Sequence, residues 1–286
     1  MREIIKNIGF NAVAPGQKAS ARLPVDRLYY GLALRASFNG STSRAAVEAG
    51  IKDIELVYNG QNVRQFTPAQ LNYINRINGL CNADGTDNSQ NRYAYRDALM
   101  VHFAAPWQAS IQGEEVNALG TLGMNDDLHL DVTIADDAVA PMLELWLIYS
   151  YANRAPGRVL KMLRQSLNVG QAGQYDLNNL RTGPVYSRIH FFSPLVKSVE
   201  IQALGRFPAK YTRENLPFLT AVYGLGQETA AFTMPMDYTQ QVSDGFPTTL
   251  PNGAGISDLN LRLDIGGAAG SSTVFPFISE LREELF

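Results

Sequence analysis

The chain has 286 residues, of which 45% are hydrophobic, and this length favours a globular protein of about two domains. Its net charge of −3 at pH 7 and its lack of a basic run exclude the electrostatic signature of a nucleic-acid-binding protein. The single cysteine, Cys81, excludes an internal disulfide, and no run approaches the roughly 18 apolar residues of a membrane-spanning helix. Because the N-terminus also lacks the apolar core of a signal peptide, we expect synthesis and folding in the cytoplasm.

Residues 1–10 have the apolar periodicity of a short amphipathic helix. One helical face carries four apolar side chains, those of Met1, Ile4, Ile5 and Ile8. Two interpretations remain open: the segment lies on a lipid surface or beneath a neighbouring subunit, or it packs on its own domain. Because ten residues bury little area, the second is favoured.

The remainder of the first half has the period-two alternation of half-buried strands. Strands are predicted at 17–23, 30–38, 54–58, 99–105, 128–134 and 142–151. The last of these is apolar on both faces, which predicts cover on both sides, by its own core and by the second domain.

A segment of this half occurs twice. Residues 51–79 align without a gap with residues 196–224 when residue n is placed on residue n + 145. The aligned pairs share their chemistry, as in Glu55 with Glu200, Leu56 with Ile201, Gly60 with Gly205, Thr67 with Thr212, Leu71 with Leu216 and Tyr73 with Phe218. A second match places residues 127–134 on residues 258–265. A repeat at about half the chain length predicts a domain that is built twice.

Each copy predicts a strand, a glycine turn and a helix. In the first copy Thr67, Pro68 and Gln70 have the spacing of a capping box with proline in the first turn, and Gly79 is the predicted C-terminal cap. In the second copy Pro217 follows Thr212 closely, so we expect that helix to be short or to begin as a tighter turn.

The second half repeats the strand order of the first. Residues 153–170 are interpreted as the link, and strands are predicted at 174–180, 186–193, 196–203 and 230–236. About eight short strands in each half predict an all-β fold, a tandem double jelly roll of two eight-stranded antiparallel β-sandwich barrels, each with one short helix. The predicted domains are 1–153, with an N-terminal arm at 1–15, and 154–286.

Candidate metal ligands are few and scattered. The three histidines, His102, His129 and His190, fall in separate predicted strands without the clustering that a metal site requires. Three acidic segments offer carboxylate oxygens to calcium, although none has the spacing of an EF-hand: Asp126-Asp127, Asp136-Asp137 and the loop from Asp84 to Asp87. The sequence therefore identifies no metal ligands, and calcium remains a candidate ion.

No motif predicts catalysis. The chain has no Gly-x-Ser-x-Gly nucleophile motif, and Gly224-Leu-Gly226 follows a helix, whereas a phosphate-binding glycine loop follows a strand. The run from Arg92 to Arg96 could stack on single-stranded nucleic acid, but a subunit contact fits the acidic chain better.

Several motifs resemble the major capsid proteins of tailless icosahedral bacteriophages with an internal membrane, the corticovirus and autolykivirus group of the double jelly-roll lineage. They span roughly residues 1–206 in order and include Gly16-Gln17, Leu23-Pro24, the segment 51–60, Ala118-Leu-Gly-Thr-Leu-Gly-Met124, Asp131-Val-Thr-Ile-Ala-Asp136, Leu160-Lys-Met-Leu-Arg-Gln165 and Tyr186-Ser-Arg-Ile-His190. The similarity fades after the second helix, where residues 245–255 resemble an insertion.

The resemblance implies a coat protein without a catalytic site, made in the host cytoplasm and located in the virion. Its partners would be two further copies in a homotrimer, neighbouring capsid trimers, penton and minor membrane proteins, and the internal lipid membrane through residues 1–10, with no direct contact to nucleic acid. The alternative, from another class, is a glycan-active amidase or a carbohydrate-binding protein on two jelly rolls.

Overall fold

The computed structural model describes residues 2–6, 9–78, 98–106, 111–125, 127–178, 180–222, 229–237, 244–267 and 273–284. The chain forms two compact units. Unit 1 comprises residues 1–160 and 284–286, and unit 2 comprises residues 161–283.

Unit 1 contains nine strands and three helices among the described residues. The strands are β1 (Glu3–Lys6), β2 (Lys18–Arg22), β3 (Leu28–Ser37), β4 (Ile51–Tyr58), β5 (Gln61–Phe66), β6 (Leu99–His102), β7 (Leu119–Gly120), β8 (Leu128–Ile134) and β9 (Met142–Ser150). The helices are α1 (Arg44–Gly50), α2 (Pro68–Ile77) and α3 (Ile111–Glu115). One sheet has the order β1-β9-β3-β6, with β7 also paired to β3, and the other has the order β5-β4-β8-β2.

Unit 2 contains nine strands and one helix among the described residues. The strands are β10 (Arg158–Val169), which begins just before the unit boundary, β11 (Gly173–Leu177), β12 (Val185–Phe191), β13 (Val196–Ala203), β14 (Arg206–Thr212), β15 (Phe232–Pro235), β16 (Phe246–Pro247), β17 (Asn260–Ile265) and β18 (Thr273–Glu284). The helix is α4 (Leu216–Val222). The two sheets have the orders β15-β12-β18-β10, with β16 also paired to β12, and β11-β17-β13-β14.

The two units have the same topology, strand for strand. Adding nine to each strand number of unit 1 gives its counterpart, so β1-β9-β3-β6 becomes β10-β18-β12-β15 and β2-β8-β4-β5 becomes β11-β17-β13-β14. Even the two-residue strands β7 and β16 occupy equivalent places, because they pair with the equivalent strands β3 and β12. Each unit is thus a jelly roll of two four-stranded sheets, which confirms the predicted tandem double jelly roll.

The repeated segments supply equivalent pairs of core strands. In unit 1 Ile54 and Leu56 of β4 lie opposite Val132 and Leu130 of β8, and all four are fully buried. In unit 2 the corresponding pairs join β13 to β17 in the same way. Because side chains alternate between the two faces of a strand, this register directs the alternating apolar residues of these core strands towards the interior.

The helices of the repeat also follow the prediction. Thr67 accepts a hydrogen bond from the Gln70 backbone while the Gln70 side chain accepts one from the Thr67 backbone, which is a complete capping box with proline in the first turn. In the second copy Thr212 and Asn215 exchange the equivalent bonds, and α4 begins only at Leu216. The expectation of a short second helix is confirmed. Helices α1 and α3 of unit 1 were not predicted from the repeat.

The predicted helix at the N-terminus is wrong, because Glu3–Lys6 form strand β1. These residues pair with β9, where Ile4 lies opposite Ile148 and Ile5 opposite Leu147. Four residues cannot satisfy their own backbone groups as a helix, whereas the free edge of β9 offers hydrogen-bond partners. The segment therefore belongs to the sheet of its own unit.

Three other strands differ from the prediction. Residues interpreted as the link contain the twelve-residue strand β10, and strands β5 and β14 lie between each glycine turn and its helix. All three are rich in polar and charged residues, so the apolar alternation that predicts a strand is weak.

The motif from Ala118 to Met124 contains a close backbone contact that requires glycine. A Cβ atom on Gly120 would lie 2.3 Å from the Arg154 carbonyl oxygen. The contact is held by Thr121, whose hydroxyl accepts a hydrogen bond from the Arg27 amide and donates one to the Arg27 carbonyl, and by Asn153, whose side chain accepts from the Thr121 amide. The motif thus joins strand β7 to the segment that follows β9.

We predict that Gly120→Ala lowers the stability of unit 1. The added methyl group meets backbone atoms that cannot rotate away, so we expect a loss of about 1–3 kcal/mol in the free energy of unfolding. Gly170→Ala is the matched control, since a Cβ there meets nothing within 4 Å. Chemical denaturation monitored by circular dichroism measures both variants, and equal stability of the two would contradict this account.

Candidate assembly surfaces

The structure places two predicted metal ligands side by side, with His129 Nδ1 at 3.5 Å from Asp127 Oδ1, but no larger ligand cluster occurs among the described residues. His102, His129 and His190 lie on β6, β8 and β12. Asp136 is exposed and its carboxylate forms an ion pair with the Lys52 ammonium at 2.5 Å. Across the described part of the chain, no group of three or more His, Cys, Asp or Glu side chains is close enough to hold a metal ion.

Several predicted features lie outside the described residues. These are Gly79, Cys81, the acidic loop 84–87, the run 92–96, Asp126, Gly224 and Gly226. In the ranges that are described, no helix is long and apolar enough to cross a membrane.

His102 is held neutral by its surroundings. Burial lowers the pKa of its imidazole from the ordinary value to about 4, and the positive charge of Arg64 adds to this shift. Arg64 itself is 2% exposed, donates to the His102 carbonyl oxygen at 2.6 Å and lies 4.7 Å from the centre of the Phe103 ring. Protonation of His102 would therefore place a second cation beside a buried guanidinium.

The N-terminal strand is fixed by ion pairs at both ends. Arg2 forms an ion pair with Glu114 at 2.7 Å and lies 4.2 Å from the centre of the Tyr30 ring, while Lys6 forms one with Glu144 at 2.6 Å. Between these cations, the side chains of Ile4 and Ile5 are exposed. Strand β1 therefore presents two adjacent apolar residues, with its cations already neutralised.

The outer face of the β11-β17-β13-β14 sheet carries a row of alternating charges. Asp176, Arg262, Glu200 and Lys210 lie opposite one another on the four strands in that order. Arg262 contacts Asp176 at 3.0 Å and Lys210 contacts Glu200 at 2.5 Å. Opposite charges on neighbouring strands stabilise the sheet modestly and leave this row of four residues without net charge.

The equivalent row of unit 1 has a different charge pattern. Asp131 occupies the position that corresponds to Arg262, so it lies opposite Glu55 with no cation between them in the row. Lys18 of β2 compensates, with its ammonium 2.6 Å from Glu55 and 3.1 Å from Asp131. The two jelly rolls thus share a topology but present chemically distinct sheet faces.

Unit 2 also contains a nearly fully buried polar network. Arg188 donates two hydrogen bonds to the Asp237 carboxylate, at 2.8 and 3.2 Å. His190 contacts the Thr233 hydroxyl through Nδ1 at 2.9 Å and Glu280 through Nε2 at 3.0 Å. Because removing one member would leave a buried charge or polar group unpaired, this network holds β12, β15 and β18 in one arrangement.

The most exposed large apolar side chain among the described residues is that of Phe218 on α4, at 78%. Its repeat counterpart on α2, Tyr73, is only 3% exposed. Unit 1 also has an open groove of about 180 Å³ lined by Arg35, Ala36, Ser37, Thr42, Met142 and Glu144. The Met142 side chain in this groove is 64% exposed.

Sequence reasoning singled out the N-terminal isoleucines Ile4 and Ile5 but none of the other surfaces. The charge rows require the strand register, and the buried network requires knowledge of which strands are neighbours. One sequence signal for Phe218 was available. The repeat alignment pairs Phe218 with Tyr73, and only the first half has enough residues between the preceding strand and the repeated strand to form an additional helix. That comparison predicts a helix face with less cover in the second half.

We predict that His102→Gln reduces the loss of stability in acid. The folded-state pKa of His102 is depressed, so the unfolded chain binds more protons as the pH falls below about 6.5, and stability is lost progressively towards pH 4. Replacing the imidazole removes up to about 3 kcal/mol of this dependence.

Urea denaturation at pH 7 and pH 4.5 measures the effect. The control is His129→Gln, at a surface imidazole flanked by Asp127 and Asp131 at 3.5 and 3.7 Å, which should retain the acid sensitivity. An unchanged pH dependence in His102→Gln would show that this side chain does not contribute.

Comparison with known proteins identifies the family. The model of the viral coat protein P2 N-terminal domain matches residues 4–150, and the model of the viral coat protein P2 C-terminal domain matches residues 159–278. A comparison with curated protein sequences gives no match.

Solved structures with the same fold are viral capsid proteins. The major capsid protein P2 of bacteriophage PM2 superposes with a TM-score of 0.81 at 18% identity, covering 100% of this chain and 98% of that one. The capsid of the virus PBCV-1 gives a TM-score of 0.63 at 12% identity, with 100% and 96% covered. Sulfolobus turreted icosahedral virus gives a TM-score of 0.66 at 9% identity, with 100% and 91% covered.

These matches decide between the two classes of function considered from the sequence. Nothing in them supports the glycan-active enzyme or the carbohydrate-binding protein, and both family models describe structural proteins of a viral shell. The chain therefore belongs to the viral coat protein P2 family and is a coat protein, located in the capsid of the virion, with a structural and not an enzymatic role.

Proposed function

We propose that the coat protein assembles as a homotrimer whose six jelly rolls form a pseudo-hexagonal tile. The strand-for-strand correspondence of the two units carries this proposal. Three copies of a chain with two like domains present six like sides, and a tile of that kind packs in a near-sixfold lattice while each chain keeps one conformation. Many modest contacts between such tiles then hold a large shell together.

The two units present different charge patterns around the tile. The neutral charge row of unit 2 and the Asp131–Glu55 row of unit 1 alternate around a ring of six domains. Complementary potentials favour one docking register over others, and like charges in the wrong register oppose it. Alternating faces of this kind support a trimer over a true hexamer of identical contacts.

The shell encloses an internal lipid membrane, and penton and minor membrane proteins complete it. Strand β1 is the candidate for lipid contact, because Ile4 is 65% and Ile5 45% exposed. Since Arg2 and Lys6 already bind Glu114 and Glu144, this contact rests on apolar burial and depends little on lipid charge. Two isoleucines bind a membrane weakly, so the contact is weak for a single trimer and strengthens with the number of copies in an assembled shell.

We predict that the purified protein has the mass of three chains in solution. Size-exclusion chromatography with light scattering measures this mass, and cryo-electron microscopy of particles tests the six-domain tile. A monomer stable at capsid-assembly concentrations, or a ring of another order, would overturn the trimer.

We predict that a double Ile4→Ser, Ile5→Ser variant binds neutral lipid vesicles less than the unmodified trimer. Co-sedimentation with phosphatidylcholine vesicles measures the effect. Val274→Ser is the control, because Val274 is 58% exposed but lies on β18 of unit 2. If both variants bind the vesicles equally, β1 does not make the lipid contact.

A further inference from the structure

A helix face that is covered in unit 1 lacks the same cover in unit 2. In unit 1 the connection between β3 and β4 contains α1, and Glu48 of α1 accepts a hydrogen bond from the Asn72 side chain of α2 at 3.0 Å. In unit 2 the equivalent connection between β12 and β13 is only residues 192–195 and has no helix. The counterpart of Asn72 is Pro217, which has no side-chain donor, and the next residue is the exposed Phe218.

The absence of this helix accompanies the exposure of Phe218, whereas Tyr73 of unit 1 is buried. At 78% exposure, Phe218 leaves most of an aromatic side chain in water, so its burial in an interface would be favourable. Large aromatic side chains of this kind are enriched at the centres of protein interfaces. Unit 2 lacks the region around α1 that lies against α2 in unit 1. The α1 region of unit 1 in a second copy can cover α4 instead.

The groove of unit 1 lies directly beside α1. Ser37 is the last residue of β3, and Thr42 precedes Ser43, the N-cap of α1. Across the groove, Met142 is 64% exposed, and the neighbouring Val139, whose carbonyl accepts from the Asn39 amide, is 59% exposed. The volume of about 180 Å³ is sufficient for one aromatic ring, since a cavity of about 150 Å³ binds benzene.

The chemistry of the groove suits an aromatic side chain. Glu144 is bound to Lys6 at 2.6 Å, whereas its distance to the Arg35 guanidinium is 3.6 Å, and Arg35 is 48% exposed. A guanidinium placed over a ring face and a methionine sulfur at its edge both attract aromatic rings. The groove thus combines an apolar wall with the Arg35–Glu144 ion pair and two hydroxyl groups.

Phe218 and the groove also occupy equivalent positions in their jelly rolls. In unit 1, α2 lies against α1, at the same end of the sandwich as the groove. Since α4 is the counterpart of α2 in an identical topology, Phe218 lies at the corresponding end of unit 2. Phe218 and the groove therefore lie at equivalent ends of the two jelly rolls.

We propose that Phe218 inserts into the groove formed by Met142, Arg35 and Thr42 of a second copy of this chain. The inference rests on the proposed trimer and deepens it by naming a contact between unit 2 of one copy and unit 1 of the next. The contact joins two different surfaces, so each copy donates one phenylalanine and receives one, and three copies close the ring.

A double-mutant cycle with Phe218→Ala and Met142→Ala tests the contact. We expect Phe218→Ala to raise the concentration at which half of the chains are assembled at least about tenfold, as for a central interface residue. Met142→Ala should act in the same direction, and the double variant should add little to Phe218→Ala, because both changes remove one interaction. Analytical ultracentrifugation measures assembly, and thermal unfolding verifies that Phe218→Ala retains the fold.

The matched control is Leu204→Ala, which truncates another exposed apolar side chain of unit 2, at 56%, and should leave assembly unchanged. If Phe218→Ala assembles like the unmodified trimer, or if the two substitutions weaken assembly additively, this contact is refuted and the trimer stands. If the unmodified chain does not assemble into trimers at all, the proposed function fails first.

A cross-link gives an independent geometric test. In a Cys81→Ser background, Phe218→Cys combined with Met142→Cys should oxidise to covalently linked chains, whereas Leu204→Cys combined with Met142→Cys should not. Equal cross-linking in both pairs, or in neither, would refute the insertion.

Discussion

The structure depends on one constraint: each half of the chain must bury the inner faces of two four-stranded sheets against each other. Because side chains alternate along a strand, a shift of one residue would move Ile54 and Leu56 to the outer face and bring Glu55 into the core. The same holds for Val199, Ile201 and Glu200 in the second copy. This constraint explains why strand order and register are kept between the units while the remaining residues have diverged.

The outer faces and connections are not constrained in this way, and the units differ there. Arg262 of unit 2 and Asp131 of unit 1 occupy the same register position, yet both are tolerated because a neighbouring side chain balances each charge. The connection between the third and fourth strands contains α1 in one unit and four residues in the other. The proposed trimer needs both properties, since like barrels fill a near-hexagonal tile and unlike surfaces decide which barrel contacts which.

The amount that could be predicted from the sequence follows from the range of each interaction. The capping box at Thr67 is formed within one helical turn, so it was predicted correctly. The core strands β4, β8, β13 and β17 were also predicted correctly, because their apolar residues alternate. Strand β10 was missed because Lys161, Arg164 and Gln165 interrupt its apolar pattern, and β5 was missed because Gln61, Asn62 and Gln65 do the same. Strand β1 was mistaken for a helix because Ile4 and Ile5 are consecutive and so lack the alternation of a half-buried strand, and only the pairing with β9 identifies the strand. The metal prediction at Asp127 and Asp136 remained open for the same reason, as spacing alone does not locate a ligand group.

Different residues determine the stability of each chain and the association between chains. The buried network of Arg188, Asp237, His190 and Glu280 and the guanidinium of Arg64 are inaccessible to a partner, so they act on the fold of each chain. Side chains that can meet a partner, such as Phe218 and Met142, are exposed and make few contacts within their own unit, so their loss leaves the sandwich intact. Each inter-chain contact can therefore remain weak and reversible, which allows misplaced subunits to dissociate, while the repetition of contacts over a closed shell makes the whole stable. A rigid barrel with variable connections at one end meets both requirements in a single chain.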